Sequence, residues 1–453
     1  MSELAEQARR AVEQALTAGA GDAEAYASEA ENREVRVHDG AVESLTAATQ
    51  RGLGLRVWIG GRTGYGFGAD LSAEGLAGIA ARALEAARVA DEDEFAGPAV
   101  VADGAEPAPV GDLSDPSRGE WSPAQIADLA LAVEKAALAA DPRVVAVEQA
   151  VYFDSAERVA LAASSAPGGE YETTSCYAYL QALADGESGR ETGLGFGLAR
   201  GPAGLDPAAI GREGAERAAE MIGSSKPASG SRPVVLDPTV AASFVGLLGS
   251  AAGADAVQRG RSPLAERLGE EVAAEAFVLH DDGLAPAGFA AAPFDAEGTP
   301  RRRTALIEAG RLQTFLYDSY TARRGGAGST GNAGRSGYRS LPGVSASNLV
   351  VAPGSLSLEQ LLREAGEGVY VNDVAGLHSG VNPVTGVFSV GASGRAIRGG
   401  ERAEPLREFT IASDLVSMLR AVRAAGSVPR WVPFGGSVSA PPLLIGEMTV
   451  SGS

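Results

Sequence analysis

Between Gly376 and Gly394 the chain reads GLHSGVNPVTGVFSVGASG, with five glycines spaced among small polar and apolar residues rather than massed as linker filler. No other segment constrains the fold as much. Glycine supplies positive φ and close backbone approach, while Val381, Val384, Val387, Phe388 and Val390 supply an apolar face, so strands joined by tight turns are expected. Such a segment lines a packed barrel or a peptide-sized groove. Sixty glycines against 6% aromatic residues extend the expectation to the whole chain, in keeping with sheets rather than a helical bundle.

A chain of 453 residues has room for two or three domains. With 45% hydrophobic and 21% charged residues it has the balance of a soluble globular protein. The net charge of −20 argues against binding to nucleic acid or to an anionic membrane. The opening MSELAEQARRAVEQALTAGA has early acidic residues and no continuous apolar core, so no signal peptide is expected. No stretch approaches the roughly 20 apolar residues of a membrane span. A lone cysteine, Cys176, excludes an intramolecular disulfide, fits a cytoplasmic location and reads as a small buried residue on a strand.

Helical spacing over Glu3–Ala18 gives way to alternating stretches, AEAYASEA, REVRVHDG, AVESLTAATQ and LGLRVWIGG, and then to a helix from Leu71 to about Val89 capped by Asp70 or Ser72. A Pro-, Gly- and Asp-rich connector follows. The cycle then repeats: a helix near Ala124–Ala139, strand-like VVAVEQAVYFD, RVALAASSA, YETTSCYAYLQALAD and ETGLGFGLAR, and a helix from about Pro207 to Ile222. Both halves share a landmark, GYGFG at 64–68 and GLGFG at 193–197, each followed by a leucine and a helix, so a duplicated helix/meander/helix unit is expected. The expected fold class is α+β, with units at 1–92 and 124–223, a connector at 93–123, and a β-rich, barrel-like domain at 232–453. That domain opens with a strand at Arg232–Leu236 and a helix from Pro238 to about Ala256. Two further helices are expected near Leu356–Ala365 and Ile411–Val422.

Three more blocks precede the glycine-rich run: LIEAGRLQTFLYDSYTARR from Leu306, STGNAGRSGYRS from Ser329 and PGVSASNLVVAPG from Pro342. In that order the four resemble the C-terminal domain of the TldD/PmbA family, on its PmbA (TldE) side, strongly from about Val234 onward and more loosely before it. In the catalytic branch of that family the helix after the opening strand carries His-Glu-x-x-x-His, two imidazoles for zinc and a carboxylate for the metal-bound water. At the matching place this chain has Gly249, Ser250 and Ala254, and a further cysteine ligand expected near the C-terminus is missing. The resemblance therefore implies a subunit with no catalytic residues and no metal of its own. Its implied partner is a TldD-like zinc metalloprotease subunit, and its implied substrates are peptides and unfolded polypeptides. Whether it forms a homodimer when alone is left open.

Residues for peptide or partner contact are expected in the glycine-rich run: His378, Asn382 and Thr385 as polar groups, Gly380 and Gly386 where a backbone could approach closely. Only His38, His280 and His378 exist, without ligand-like spacing. GSTGNAGRS at 328–336 lacks the Lys-Ser/Thr ending of a phosphate loop, and GASGR lacks the spacing of a nucleophile elbow. Arg301–Arg303 reads as a solvated basic patch. Two alternatives stay open at this point: an autonomous peptidase with an unrecognised site, and a peptide-binding module unrelated to proteolysis.

Overall fold

The helices of the N-terminal half begin where the local chemistry caps them. The computed structural model describes residues 2–101, 107–165, 168–187, 189–433 and 436–452; residues 102–106 of the expected connector lie outside it. Helix α1 (Glu3–Thr17) starts at Ser2, and α2 (Ala73–Val89) starts at Ser72, whose hydroxyl accepts from the Gly75 amide. Asp70 accepts from the Ser72 amide one step earlier. Helix α3 (Pro123–Ala140) opens with a Ser122/Gln125 capping box, and α4 (Pro207–Glu220) with Asp206; both place proline in the first turn.

Between these helices run β1 (Asp22–His38), β2 (Ala41–Ile59), β3 (Arg62–Gly68), β4 (Val144–Ala163), β5 (Gly169–Gly186) and β6 (Gly189–Ala199). They form one antiparallel sheet in the order β3-β2-β1-β4-β5-β6, so the two meanders join edge to edge through β1 and β4. The stretches expected as separate short strands are continuous. AEAYASEA and REVRVHDG are one strand of 17 residues, and Arg33, the charged residue that opens the second stretch, has buried partners. Arg33 and Arg118 both reach the buried Asp154, each at 2.7 Å, and the Tyr152 hydroxyl donates to the same carboxylate at 2.5 Å. Satisfied in this way, a mid-strand charge need not interrupt pairing.

One face of the sheet carries the helices: Ala23, Ala25 and Ala27 of β1 pack with Leu53, Leu55 and Val57 of β2 against α1 and α2. The alternate residues of β1, Glu24, Tyr26 and Ser28, are buried too. A sheet covered on both faces gives such unbroken burial. The cover on the second face is the C-terminal half.

There β7 (Gly230–Leu236) lies parallel to the strand Gly368–Ala375 and antiparallel to Leu443–Ser451. Strands Val387–Arg398 and Glu401–Asp414 complete the ring, since the latter also pairs with Leu443–Ser451. The result is a closed five-stranded barrel. Helix α5 (Pro238–Ala251), capped by Asp237, packs between this barrel and a second sheet that includes Leu279–Asp282, Asn348–Val351 and Ser437–Ala440. Its Phe244 ring meets Phe388 of the barrel with centroids 4.8 Å apart.

Three sequence expectations are corrected here. The helix expected to reach Ala256 ends at Ala251, and a separate turn, α6 (Ala254–Gln258), follows. The helix expected from Ile411 is only Leu415–Arg420, because Ile411–Asp414 finishes a barrel strand. In the glycine-rich run Phe388 and Val390 are buried and Val381 is half-buried, but Val384 and Val387 are 46% and 55% exposed. Residues Leu377–Gly380 form a helical turn rather than a strand, initiated by Gly376 at φ 80°.

Candidate functional site

Gly249, Ser250 and Ala254 sit where α5 ends and α6 begins; Gly249 and Ser250 line a cavity of about 280 Å³, and Ala254 is buried beside it. The lining includes Gly246, Gly249, Ser250, Asp255, Ala346, Ser347, Leu349 and Ser437. A zinc ion there would need several imidazole, thiolate or carboxylate donors. Asp255 is the one such group in the lining, and Arg259 holds it at 2.7 Å. The Ser250 hydroxyl turns back onto the Gly246 carbonyl. At Gly249 the space for a side chain is itself taken: a Cβ would lie 2.4 Å from Cδ1 of Leu349. The residues present do not fit the metal, and a histidine at 249 would collide with a core leucine.

The three histidines lie on separate elements. His38 ends β1 and is exposed. His280 is buried in the second sheet, where burial and then Arg303 lower its pKa. His378 is exposed on the helical turn. No three His, Cys, Asp or Glu residues among those described form a metal-binding group. Cys176 is buried, its thiol pushed up to about 12 by burial and then by the Asp154 charge.

The structure gathers His378, Gly380, Asn382, Thr385 and Gly386 into one loop beside the barrel, where the exposed Asn382 and Thr385 side chains are engaged by the loop's own amides. The Asn382 side chain accepts from the amides of Val384 and Thr385, and the Thr385 hydroxyl accepts from the Val387 amide. At Gly380 a Cβ would lie 2.5 Å from the Ser389 carbonyl, so the close approach there is by the chain's own strand. Gly386, at φ 76°, packs less tightly, on the side chains of Pro263 and Leu415.

A larger cleft of about 690 Å³ lies between the N-terminal sheet and the C-terminal half. It shares Val344, Ser345 and Ala346 with the cavity at α5, so the two adjoin. Tyr26 and Glu157 of β1 and β4, Tyr171 of β5, Arg301 and the 333–337 segment line it. Glu157 has its pKa raised by burial alone. Arg301 donates to the Ala290 carbonyl at 2.9 Å and lines the cleft, whereas Arg302 and Arg303 are exposed, so the basic patch is divided between interior and solvent. The sequence carried a signal for this wall in GSTGNAGRS, although not as a nucleotide loop.

Behind the cleft a buried ionic network ties the halves together. Arg56 of β2 bridges Glu24 and Glu297, each at 2.8 Å, and Arg335 pairs with Glu24. The Tyr65 hydroxyl donates to the carbonyls of Tyr338 at 2.7 Å and Ser340 at 3.0 Å. Burial and then the neighbouring Glu297 charge raise the pKa of Asp295. Glu297 is itself buried, but the Arg56 charge and the hydrogen bonds from Ser319 and Arg56 together outweigh that burial and keep it below its ordinary range.

Comparison with known proteins matches three family models in order: PmbA/TldA metallopeptidase domain 1 over residues 23–87, the central domain over 117–222 and the C-terminal domain over 229–452. Metalloprotease PmbA of Escherichia coli O157:H7 is 29% identical over 445 residues, covering 96% of this chain and 94% of the relative. A metalloprotease of Methanothermobacter thermautotrophicus is 34% identical over 220 residues, 48% of each chain. A Thermotoga maritima protein described as a modulator of a DNA gyrase superposes with TM-score 0.90 at 27% identity, over 98% of this chain and 99% of that one. TldE of Thermococcus kodakarensis does so with TM-score 0.87 at 22% identity, over 97% and 99%. The chain belongs to the PmbA/TldD metallopeptidase family.

Proposed function

We propose that this chain is the non-catalytic, TldE-like subunit of a zinc-dependent peptidase, and that a TldD-like partner supplies the metal. The observation that carries this reading is the filled space at Gly249, where Leu349 stands in the way of a ligand side chain, together with a lining whose one carboxylate is already ion-paired. On this reading residues 1–92, 93–123, 124–223 and 232–453 are its functional divisions, and its place is the cytoplasm. Its cleft serves extended peptides and unfolded segments, whose backbone groups can pair with exposed main chain without close reading of sequence. Residues of the 333–337 and 343–346 segments line that cleft.

The test is zinc content and cleavage of a disordered substrate, for the purified protein alone and mixed with its TldD-like partner. Metal and chelator-sensitive cleavage only in the mixture are expected. Stoichiometric zinc with cleavage by this chain alone would overturn the proposal.

A further inference from the structure

Glu157 of β4 lies half-buried in the floor of the cleft, and among the described residues no hydrogen bond or ion pair reaches its carboxylate. Its cross-strand neighbours are Ala30 of β1 and Thr173 of β5, neither of them a cation. The guanidiniums around it are engaged elsewhere. Arg158, next in the strand, points to the other face of the sheet and pairs with Glu172 at 2.9 Å. Arg200 donates to the Thr173 hydroxyl at 3.0 Å and to the carbonyls of Pro286 and Gly288. Arg301 is turned to the Ala290 carbonyl, and Arg335 to Glu24. A carboxylate drawn out of water without a partner costs free energy, and such groups gather where a ligand completes them.

The surroundings suit a cation. Tyr171 stands two residues from Thr173 on β5, and Tyr26 is opposite Leu161, four residues from Glu157 on β4, so both tyrosines share its face of the sheet. Aromatic faces attract positive charge, and the Arg335 guanidinium already stands 5.1 Å over the Tyr26 ring. At Glu157 the cleft meets a second cavity of about 380 Å³, which this residue also lines. Five carboxylates line that cavity against two guanidiniums, Arg118 and Arg158, and these are already paired with Asp154 and Glu172.

We infer that Glu157 is a specificity-determining residue of the cleft: it seats an ammonium group of the bound peptide, a lysine side chain or the peptide's own amino terminus, with Tyr26 and Tyr171 beside it. This deepens the reading of the cleft as a peptide site and rests on it. Pairing across the seat replaces the water that Glu157 has lost, so positively charged peptides are selected over neutral ones. Acidic segments are turned away by the same charge.

Fluorescence anisotropy with the purified chain tests the seat without recourse to cleavage. Three short peptides share one Gly/Ser/Ala sequence and a label at the carboxyl end. The first has a central lysine and an acetylated amino terminus, the second norleucine in place of lysine and a free amino terminus, and the third norleucine and an acetylated terminus. The first, the second or both should bind about tenfold more tightly than the third, and which of them does so identifies the source of the ammonium. Glu157→Gln keeps the shape but removes the charge, so it should bring the tighter peptide to the level of the neutral one without lowering the melting temperature. Because the whole chain carries a net charge of −20, Glu43→Gln removes one exposed charge from β2 as a comparison and should leave the preference intact. Equal binding of all three peptides, tighter binding of the neutral one, no binding of any, a preference that survives Glu157→Gln or is lost in Glu43→Gln as well, or a lowered melting temperature of Glu157→Gln would each overturn the inference. The zinc and cleavage test of the mixture is read separately, so the seat can fail while the peptidase proposal stands.

Discussion

In the first unit of the N-terminal sheet a Cβ at Gly66 would lie 2.4 Å from the Ile79 carbonyl of α2, and one at Gly64 would lie 2.0 Å from the Ala83 carbonyl. In the second unit a Cβ at Gly195 would lie 2.1 Å from the Ile210 carbonyl of α4, and one at Gly193 would lie 2.2 Å from the Gly214 carbonyl. The glycine landmark in each half does the same work: it lets the last helix of the unit lie directly on its edge strand. The helix pairs then part company. Gly211 of α4 brings that helix against α3, where a Cβ would meet the Val133 carbonyl at 2.6 Å. Between α1 and α2 a groove of about 900 Å³ stays open instead, floored by Ala77, Ala80, Ala81 and Leu84. Packing that defines the fold is shared, whereas helix closure differs.

Links to the C-terminal half also differ, and the largest expected effect lies there. Arg56→Ala would leave the buried Glu24 and Glu297 without their shared cation, at a cost of about 3–5 kcal/mol in urea unfolding. On the second unit Arg217 meets Asp237 at 3.3 Å in a partly exposed site, so Arg217→Ala should cost about 2 kcal/mol. Equal losses would erase the contrast between the two attachments.

Gly66→Val and Gly195→Val should each destabilise by about 3 kcal/mol, because a side chain is driven into helix backbone. Matching values would strengthen the equivalence of the units; a tolerated valine in one would break it. The helix grooves should separate again. Gly211→Leu is expected to cost about 2 kcal/mol, while Ala81→Leu, in the open groove, should stay within about 0.5 kcal/mol by the same assay.

The smallest expected effect is a dependence on pH that runs in opposite directions on the two sides. Asp295, near the Arg56 network, has a raised pKa, so its contribution is present below the ordinary carboxylate range and is lost as pH rises through the elevated value. Asp237 is depressed: burial opposes its charge, but Arg217 and its hydrogen bonds prevail, so its contribution is present at neutral pH and lost on acidification. Melting temperatures from about pH 3 to about pH 8 should show Asp295→Asn flattening the upper end and Asp237→Asn the lower.

Much of this architecture was legible in local chemistry. Ser72, the Ser122-Pro123 pair and Asp206-Pro207 mark helix starts without reference to anything distant. The repeated glycine landmark could be read as well, since its spacing shows in the sequence even though its purpose does not. Strand continuity could not, because Asp154 finds its arginines 121 and 36 residues away. The cleft was hidden for the same reason: Arg56 reaches Glu297 across 241 residues, and a lone arginine on a strand reads as solvent-facing. In the glycine-rich run, alternation suggested one apolar face, but Val384 falls in a turn shaped by Asn382 and so escapes burial.

The barrel's closing strand, Leu443–Ser451, is the last of its five strands to be made, and it pairs with β7, laid down about two hundred residues earlier. During synthesis the N-terminal sheet can complete itself while the barrel cannot. Until that strand leaves the ribosome, Val234, Val235 and Leu236 present an open, apolar strand edge to whatever is nearby. A nonsense mutation or protease nick that removes this strand would therefore leave a half-folded barrel with a sticky seam, dependent on chaperone capture.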